Sequence, residues 1–234
     1  MTTITTNLHQ QLQRIQGASV QQGRQPGSVR LLAVSKTFSA DAVAEAALAG
    51  QRAFGENYIQ EGVAKIQALR DAARSNPALA GLEWHCIGPV QANKTRLVAE
   101  HFDWVQTIDR LKIAQRLSDQ RPASLPPLQV CIQVNVDGGP NKSGVAPAEL
   151  PELAHAVAVL PNLTLRGLMC IPEPASNLEA VIAPFKSAKA IFDALNAEGL
   201  ALDTLSMGMS DDVEPAIAAG STMVRVGRGI FGAR

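Results

Sequence analysis

Leu31-Leu32-Ala33-Val34-Ser35 is a short apolar run, and after four further residues comes Ala40 to Ala49, rich in alanine and closed by Gly50. A run of that length suits a strand buried on both faces. An alanine-rich stretch stopped by glycine suits a helix. The couplet then recurs. Arg52 to Gly55 reads as a strand and Tyr58 to Arg74 as a helix; Trp84 to Ile87 and Gln91 to His101 repeat the pair, as do Trp104 to Ile108 and Leu111 to Asp119. Leu128 to Val136 is the longest predicted strand, with Val130, Ile132, Val134 and Val136 alternating, and a helix from Pro147 to Leu160 follows it. Leu163 to Met169 and Leu178 to Glu198, then Leu202 to Met207 and Asp211 to Ala219, continue the series, which ends on a strand at Met223 to Val226. Ahead of the first strand, Leu8, Leu12, Ile15 and Val20 are spaced for an amphipathic surface helix over residues 8–23.

Strands that alternate with helices form a parallel sheet, because parallel neighbours need a crossover. Eight such strands suggest a closed (β/α)8 TIM barrel, and 234 residues lie within the usual range of that fold. An open doubly wound sheet is the alternative, weakened in its dinucleotide-binding form by the lack of Gly-x-Gly-x-x-Gly after the first strand. No linker or composition shift divides the chain, so residues 1–234 read as one domain.

Composition narrows the function. Lys+Arg and Asp+Glu both number 21, so no long-range positive field favours nucleic acid, and an aromatic content of 4% argues against a base-stacking surface. No apolar run approaches the roughly 20 residues of a membrane span. The start, Met1 to Asn7, has neither basic nor apolar region of a signal peptide. Cys86, Cys131 and Cys170 are odd in number and lack metal-ligand spacing, which reads as buried thiols in a reducing cytoplasm and no metal site.

Barrels of this kind carry their sites at the C-terminal ends of the strands. Lys36 follows the first strand, Asn57 the second, and Asn135 with the Asn141-Lys142-Ser143-Gly144 loop the fifth; Met207-Gly208-Met209-Ser210 ends the seventh, and Arg225-Val226-Gly227-Arg228-Gly229 the eighth. Loops after the last two strands commonly bind phosphate there, and glycine lets backbone N–H groups approach an anion. A lysine desolvated at the barrel mouth has a lowered pKa and an amine free for Schiff-base chemistry. Together these point to a phosphorylated aldehyde, either pyridoxal 5′-phosphate or the substrate of a sugar-phosphate aldolase. Arg225 bears on the choice, since a cation there could face a pyridine nitrogen and keep it unprotonated; a salt bridge inside the barrel would use it equally well.

From about Leu31 to Arg234 the chain resembles the pyridoxal 5′-phosphate homeostasis proteins, single-domain relatives of the alanine racemase barrel. The matching stretches include Ala33-Val34-Ser35-Lys36-Thr37, Phe54-Gly55-Glu56-Asn57-Tyr58, Ile87-Gly88-Pro89, Lys142-Ser143-Gly144, Leu165-Arg166-Gly167-Leu168-Met169, Ser206-Met207-Gly208-Met209-Ser210-Asp211-Asp212 and Arg225-Val226-Gly227. The resemblance implies an alanine racemase N-terminal domain-like barrel without the extra β-domain. It implies that Lys36 carries the cofactor as an internal aldimine, that Ser210 and the backbone about Gly227 hold the phosphate, that Arg225 approaches the ring nitrogen, and that Asn57 lines the pocket. Met209 and Arg228 complete the expected cofactor-binding set. Phe38-Ser39, Cys86 and Arg228 depart from the family pattern. The first two are expected to affect rim and packing, and the guanidinium of Arg228 is expected to turn outward, leaving its backbone N–H for the ligand.

The resemblance further implies a monomer that binds and supplies the cofactor without turnover, with transient contact to apo-enzymes. A racemase would need a second proton-transfer group, for which His85 within the third strand is a poor candidate. A cofactor-dependent racemase or decarboxylase is the alternative function. Lys142 reads as a solvated lysine, or else as a second, transient docking point for the cofactor.

Overall fold

A computed structural model describes residues 2–138 and 143–233. Eight parallel strands close into a barrel in chain order: β1 (Arg30–Val34), β2 (Ala53–Glu56), β3 (Glu83–Cys86), β4 (Trp104–Ile108), β5 (Leu128–Gln133), β6 (Leu163–Met169), β7 (Thr204–Met209) and β8 (Met223–Val226). The ring closes where Leu31 pairs with Val224 and Leu32 with Arg225. Helices α2 (Ala40–Leu48), α3 (Ile59–Ala72), α4 (Thr95–His101), α5 (Leu111–Gln120), α6 (Leu150–Ala158), α7 (Leu178–Ala197) and α8 (Val213–Ala218) fill the crossovers. The barrel expected from the couplets is the one observed.

Most strands are buried on both faces, β2, β4 and β8 along their whole length. Outward side chains such as Phe54, Trp84 and Ile108 join the continuous apolar shell between strands and helices. Inward ones form two smaller clusters, Leu32, Ala53, Ile87 and Met223 in one and Trp104, Cys131 and Met169 in the other. Burying side chains of this size stabilises the fold by about 1.5–3 kcal/mol each. Helix starts follow their caps: Ser39 Oγ accepts from the Ala42 N–H at 3.3 Å and Asn177 Oδ1 from the Ala180 N–H at 2.9 Å.

Several boundaries differ from expectation, each for a local reason. The first helix, α1, is Thr3–Gln21 rather than 8–23, because Thr2 caps it, with its hydroxyl accepting from the Thr5 N–H. The fifth strand stops at Gln133. The chain itself returns there: Val145 donates to the Gln133 carbonyl at 2.8 Å and Val134 bridges to Val145, while the Val134 N–H still donates to the Met169 carbonyl of β6 at 2.9 Å, so the regular strand gives way to an isolated bridge before Val136 is reached. β6, with seven residues, is longer than β5 with six. α4 begins at Thr95 because Gln91 to Lys94 form a turn closed by Lys94 N–H on the Gln91 carbonyl. A turn at Ala146–Glu149 likewise delays α6 to Leu150, with Pro151 in its first turn. β7 starts at Thr204 because Leu202 N–H is held by Asn196 Oδ1 at 2.7 Å. A short helix after β8, α9 (Arg228–Phe231), was not expected.

Candidate functional site

Seven side chains and backbones expected from sequence, Lys36, Asn57, Met209, Ser210, Arg225, Gly227 and Arg228, line one cavity of about 450 Å³. It opens at the C-terminal ends of the strands, and its volume is that of a small-molecule site. Val34, Ile87 and Ile171 give it apolar wall.

Lys36 stands immediately after β1 on a tightly held loop. Thr37, beside it, has φ 69°, the sole non-glycine residue at positive φ among the described residues. That conformation is an outlier for a β-branched residue and persists only where surroundings enforce it. Here a buried cluster enforces it. The Lys65 ammonium, from α3, donates to the Ser35 carbonyl at 2.7 Å, to Glu56 Oε1 at 2.8 Å and to Glu61 Oε1 at 2.7 Å. Ser35 Oγ donates to Glu56 Oε1 at 2.6 Å, and the Thr37 N–H donates to Glu61 Oε1. The residues on both sides of Lys36 are thus pinned to α3. Burial pushes the Glu56 carboxyl above its ordinary pKa, against the opposing pull of Lys65 and Ser35.

Asn57 ends β2, and the neighbouring loop presses against it. A Cβ on Gly88 would lie 2.1 Å from the Asn57 carbonyl oxygen, so only glycine lets the two loops meet. The Asn57 amide oxygen is buried with no hydrogen-bond partner among the described residues.

In the last residues of β7, Gly208 (φ 94°) turns the chain where any Cβ would strike Ala216. The turn presents Met209 and Ser210. Asp212 accepts from the Met209 N–H, and Arg14 of α1 donates to the Ser210 carbonyl at 2.7 Å while pairing with Glu214. Beyond β8, Gly227 precedes α9, whose first N–H groups, on Arg228 and Gly229, have no intrahelical acceptor. Asn7 Nδ2 of α1 donates to the Ile230 carbonyl at 3.1 Å. The N-terminal helix, read from sequence as a surface element, therefore braces both candidate anion-binding loops.

Arg225 is 4% exposed, and Nη1 donates to the carbonyl and the hydroxyl of Ser206, both at 2.8 Å, and Nη2 to the Cys170 carbonyl at 2.9 Å. No carboxylate neutralises it directly among the described residues, so it is not the salt bridge that sequence left open. Burial lowers its pKa. Arg228 differs: its guanidinium pairs with Asp211 at 2.7 Å with side chains 71% and 83% exposed, directed to solvent. Arg228 is nonetheless among the residues that line the cavity. His85 is fully buried in the barrel interior, away from the cavity lining. Asn141 and Lys142 lie outside the described residues. Lys65, Glu61 and Arg14 are functional neighbours that sequence reasoning missed. The one signal available was polar residues within otherwise apolar helix faces.

The fold and cavity define a class: residues 6–234 match the family "Alanine racemase, N-terminal domain". Among curated proteins, the pyridoxal phosphate homeostasis protein of Escherichia coli (strain K12) is 56% identical over 234 residues, covering 100% of this chain and 98% of its own length. Among solved structures, PipY of Synechococcus elongatus PCC7942, with PLP bound, is 37% identical with a TM-score of 0.79, over 93% of this chain and 100% of that one. An unknown protein from Bifidobacterium adolescentis is 34% identical with a TM-score of 0.90, over 97% and 94%. The chain belongs to the pyridoxal phosphate homeostasis protein family.

Proposed function

We propose that this chain binds pyridoxal 5′-phosphate at the barrel mouth and serves to hold and supply it within the cytoplasm, residues 1–234 acting as one monomeric unit. The observation that carries this reading is the convergence of Lys36, Ser210 and Arg225, from the ends of β1, β7 and β8, on one cavity. The residues suit the cofactor. When bound, it supplies an aldehyde that a primary amine can capture. Lys36 provides that amine on a loop held by Lys65 and Glu61. Ser210 and the Gly227–Gly229 backbone offer donors to a phosphate. Arg225 offers a fixed cation to a ring nitrogen, and Asn57 an amide oxygen that is otherwise unpartnered among the described residues. Met209 closes one wall, and Arg228 contributes its backbone N–H.

A holding role is supported over turnover by the relatives, which are named for homeostasis, and by the enclosure of His85 away from the cavity. Three buried cysteines outside any disulfide suit a reducing compartment. Delivery involves brief contact with apo-enzymes that need the cofactor.

The test is direct. Purified protein incubated with pyridoxal 5′-phosphate develops a visible absorption band, and borohydride fixes the cofactor to the peptide bearing Lys36. Lys36→Ala loses both. A reducible adduct of equal stoichiometry in that variant overturns the assignment, and turnover across a panel of amino acids would make the protein a racemase or decarboxylase.

A further inference from the structure

A buried line of hydrogen bonds leads from Arg225, at the floor of the cavity, to the opposite end of the barrel. Arg225 Nη1 donates to Ser206 Oγ at 2.8 Å, and the Ser206 hydroxyl donates to Gln106 Oε1 at 2.7 Å. Gln106 Nε2 is 2.9 Å from His85 Nδ1, and His85 Nε2 is 2.7 Å from Glu83 Oε1. Arg30, the first residue of β1, closes the line on the same Glu83 oxygen at 2.6 Å. Ser206, Gln106 and His85 are each 0% exposed.

The direction of every bond follows from the one before. An ionised Glu83 only accepts, so the proton of neutral His85 sits on Nε2. Nδ1 must then accept, which turns the amide N–H of Gln106 toward it and the amide oxygen toward Ser206. The Ser206 O–H is spent on that oxygen, so its lone pairs face Arg225. Burial holds His85 below its ordinary pKa, and His85 and Arg30 hold Glu83 down against its own desolvation, which matches this assignment. The second N–H of Gln106 meets Met223 Sδ at 3.2 Å, and the His85 ring stacks on Trp104 with centroids 4.9 Å apart. The line therefore has one polarity and little room to rotate.

We propose that Gln106 is a positioning residue for Arg225: through the Ser206 hydroxyl it sets where the guanidinium's remaining N–H groups point in the cavity, and so makes the site selective for a ligand with an aromatic ring nitrogen. This rests on the cofactor reading above. A neutral amide is well suited to the task. It offers Ser206 an acceptor without placing a carboxylate near Arg225, so the cation keeps its charge for the ligand.

The experiment compares two ligands, pyridoxal 5′-phosphate and its benzene analogue in which a C–H replaces the ring nitrogen. Binding to wild type, Gln106→Leu and Ser206→Ala is measured by absorption titration, with thermal melting of each apo-protein as a check of folding. Wild type is expected to prefer the pyridine ligand. Both variants are expected to bind it about tenfold less tightly while binding the benzene analogue as wild type does, a loss of about 1.4 kcal/mol confined to one ligand. Borohydride labelling at Lys36 is expected to persist with both ligands. Ser206→Ala, the smaller change, carries the test if Gln106→Leu does not fold. Equal weakening of both ligands, or an unchanged preference in the variants, overturns the proposal. Wild type that binds neither ligand overturns the cofactor reading itself, and this inference with it.

Discussion

The ammonium of Lys65 lies 2.7 Å from the carbonyl oxygen of Ser35, thirty residues away in sequence, and the same ammonium pairs with Glu56 and Glu61. Removing one partner from a buried ionic cluster leaves the others uncompensated, at a cost of about 3–5 kcal/mol. Lys65→Met is therefore expected to lower the urea midpoint at an unchanged m-value, a stability loss of about 3–5 kcal/mol. It should also slow borohydride labelling at Lys36, whose loop loses its anchor. A change below about 1 kcal/mol would mean that the cluster is not the support of that loop.

Ser210 provides the second prediction. On the proposed reading, Ser210→Ala removes one charge-assisted hydrogen bond to the phosphate, worth about 1.5–3 kcal/mol. Cofactor affinity is expected to drop roughly tenfold to hundredfold. Pyridoxal without its phosphate is expected to bind weakly and to be indifferent to the substitution. Equal sensitivity of the two ligands, measured by equilibrium dialysis, would place the phosphate elsewhere.

Arg228 is expected to be nearly silent. Its ion pair with Asp211 is exposed to solvent, and pairs of that kind contribute little. Arg228→Thr should leave melting temperature and the salt dependence of cofactor affinity almost unchanged, with a slight gain in affinity if the new hydroxyl reaches the ligand. A marked loss at low salt would show that the guanidinium turns inward on binding.

The pH dependence of stability isolates His85. Its folded pKa lies below the ordinary 6.5 because burial disfavours the charged ring. Below that pH the unfolded chain takes up a proton that the folded chain refuses. Stability therefore falls as pH drops below 6.5, by up to about 1.4 kcal/mol per unit from this group, and is flat above it. The Glu83 carboxyl, held below its ordinary 4.5, loses its own contribution only at lower pH, outside this window. Chemical denaturation at a series of pH values should show a shallower acid slope in His85→Gln than in wild type. Parallel slopes would assign the effect to other groups.

Most of the architecture was legible because strands buried on both faces, such as Leu31 to Val34 and Trp104 to Ile108, announce themselves as short apolar runs between helix stops. The misreadings arose where a pattern outlasted its structural use. The Val130, Ile132, Val134, Val136 alternation continues beyond Gln133, where the pairing passes to Val145. The start of α1 after Thr2 follows from Ile4, which stands one helical turn before Leu8 and packs against the core, a position that the spacing taken from Leu8 onward leaves out. Lys36, Ser210 and Arg225 could be expected at one cavity because they stand at strand ends on one face of the barrel. Gln106 and Arg14 could not, since their partners Ser206 and Ser210 stand 100 and 196 positions away and only the closed barrel brings them together.

The bracing of the two candidate anion-binding loops by α1 joins parts of the chain that are made far apart in synthesis. Arg14 and Asn7 emerge from a ribosome about two hundred residues before Ser210 and Ile230, the residues that they secure. A nascent chain halted before Met223 already carries Lys36. It lacks Arg225, the β8 ladder that seals the ring and everything that Asn7 holds. Lys36 is thus made before the other strand ends that line its cavity, which is completed only when the barrel closes.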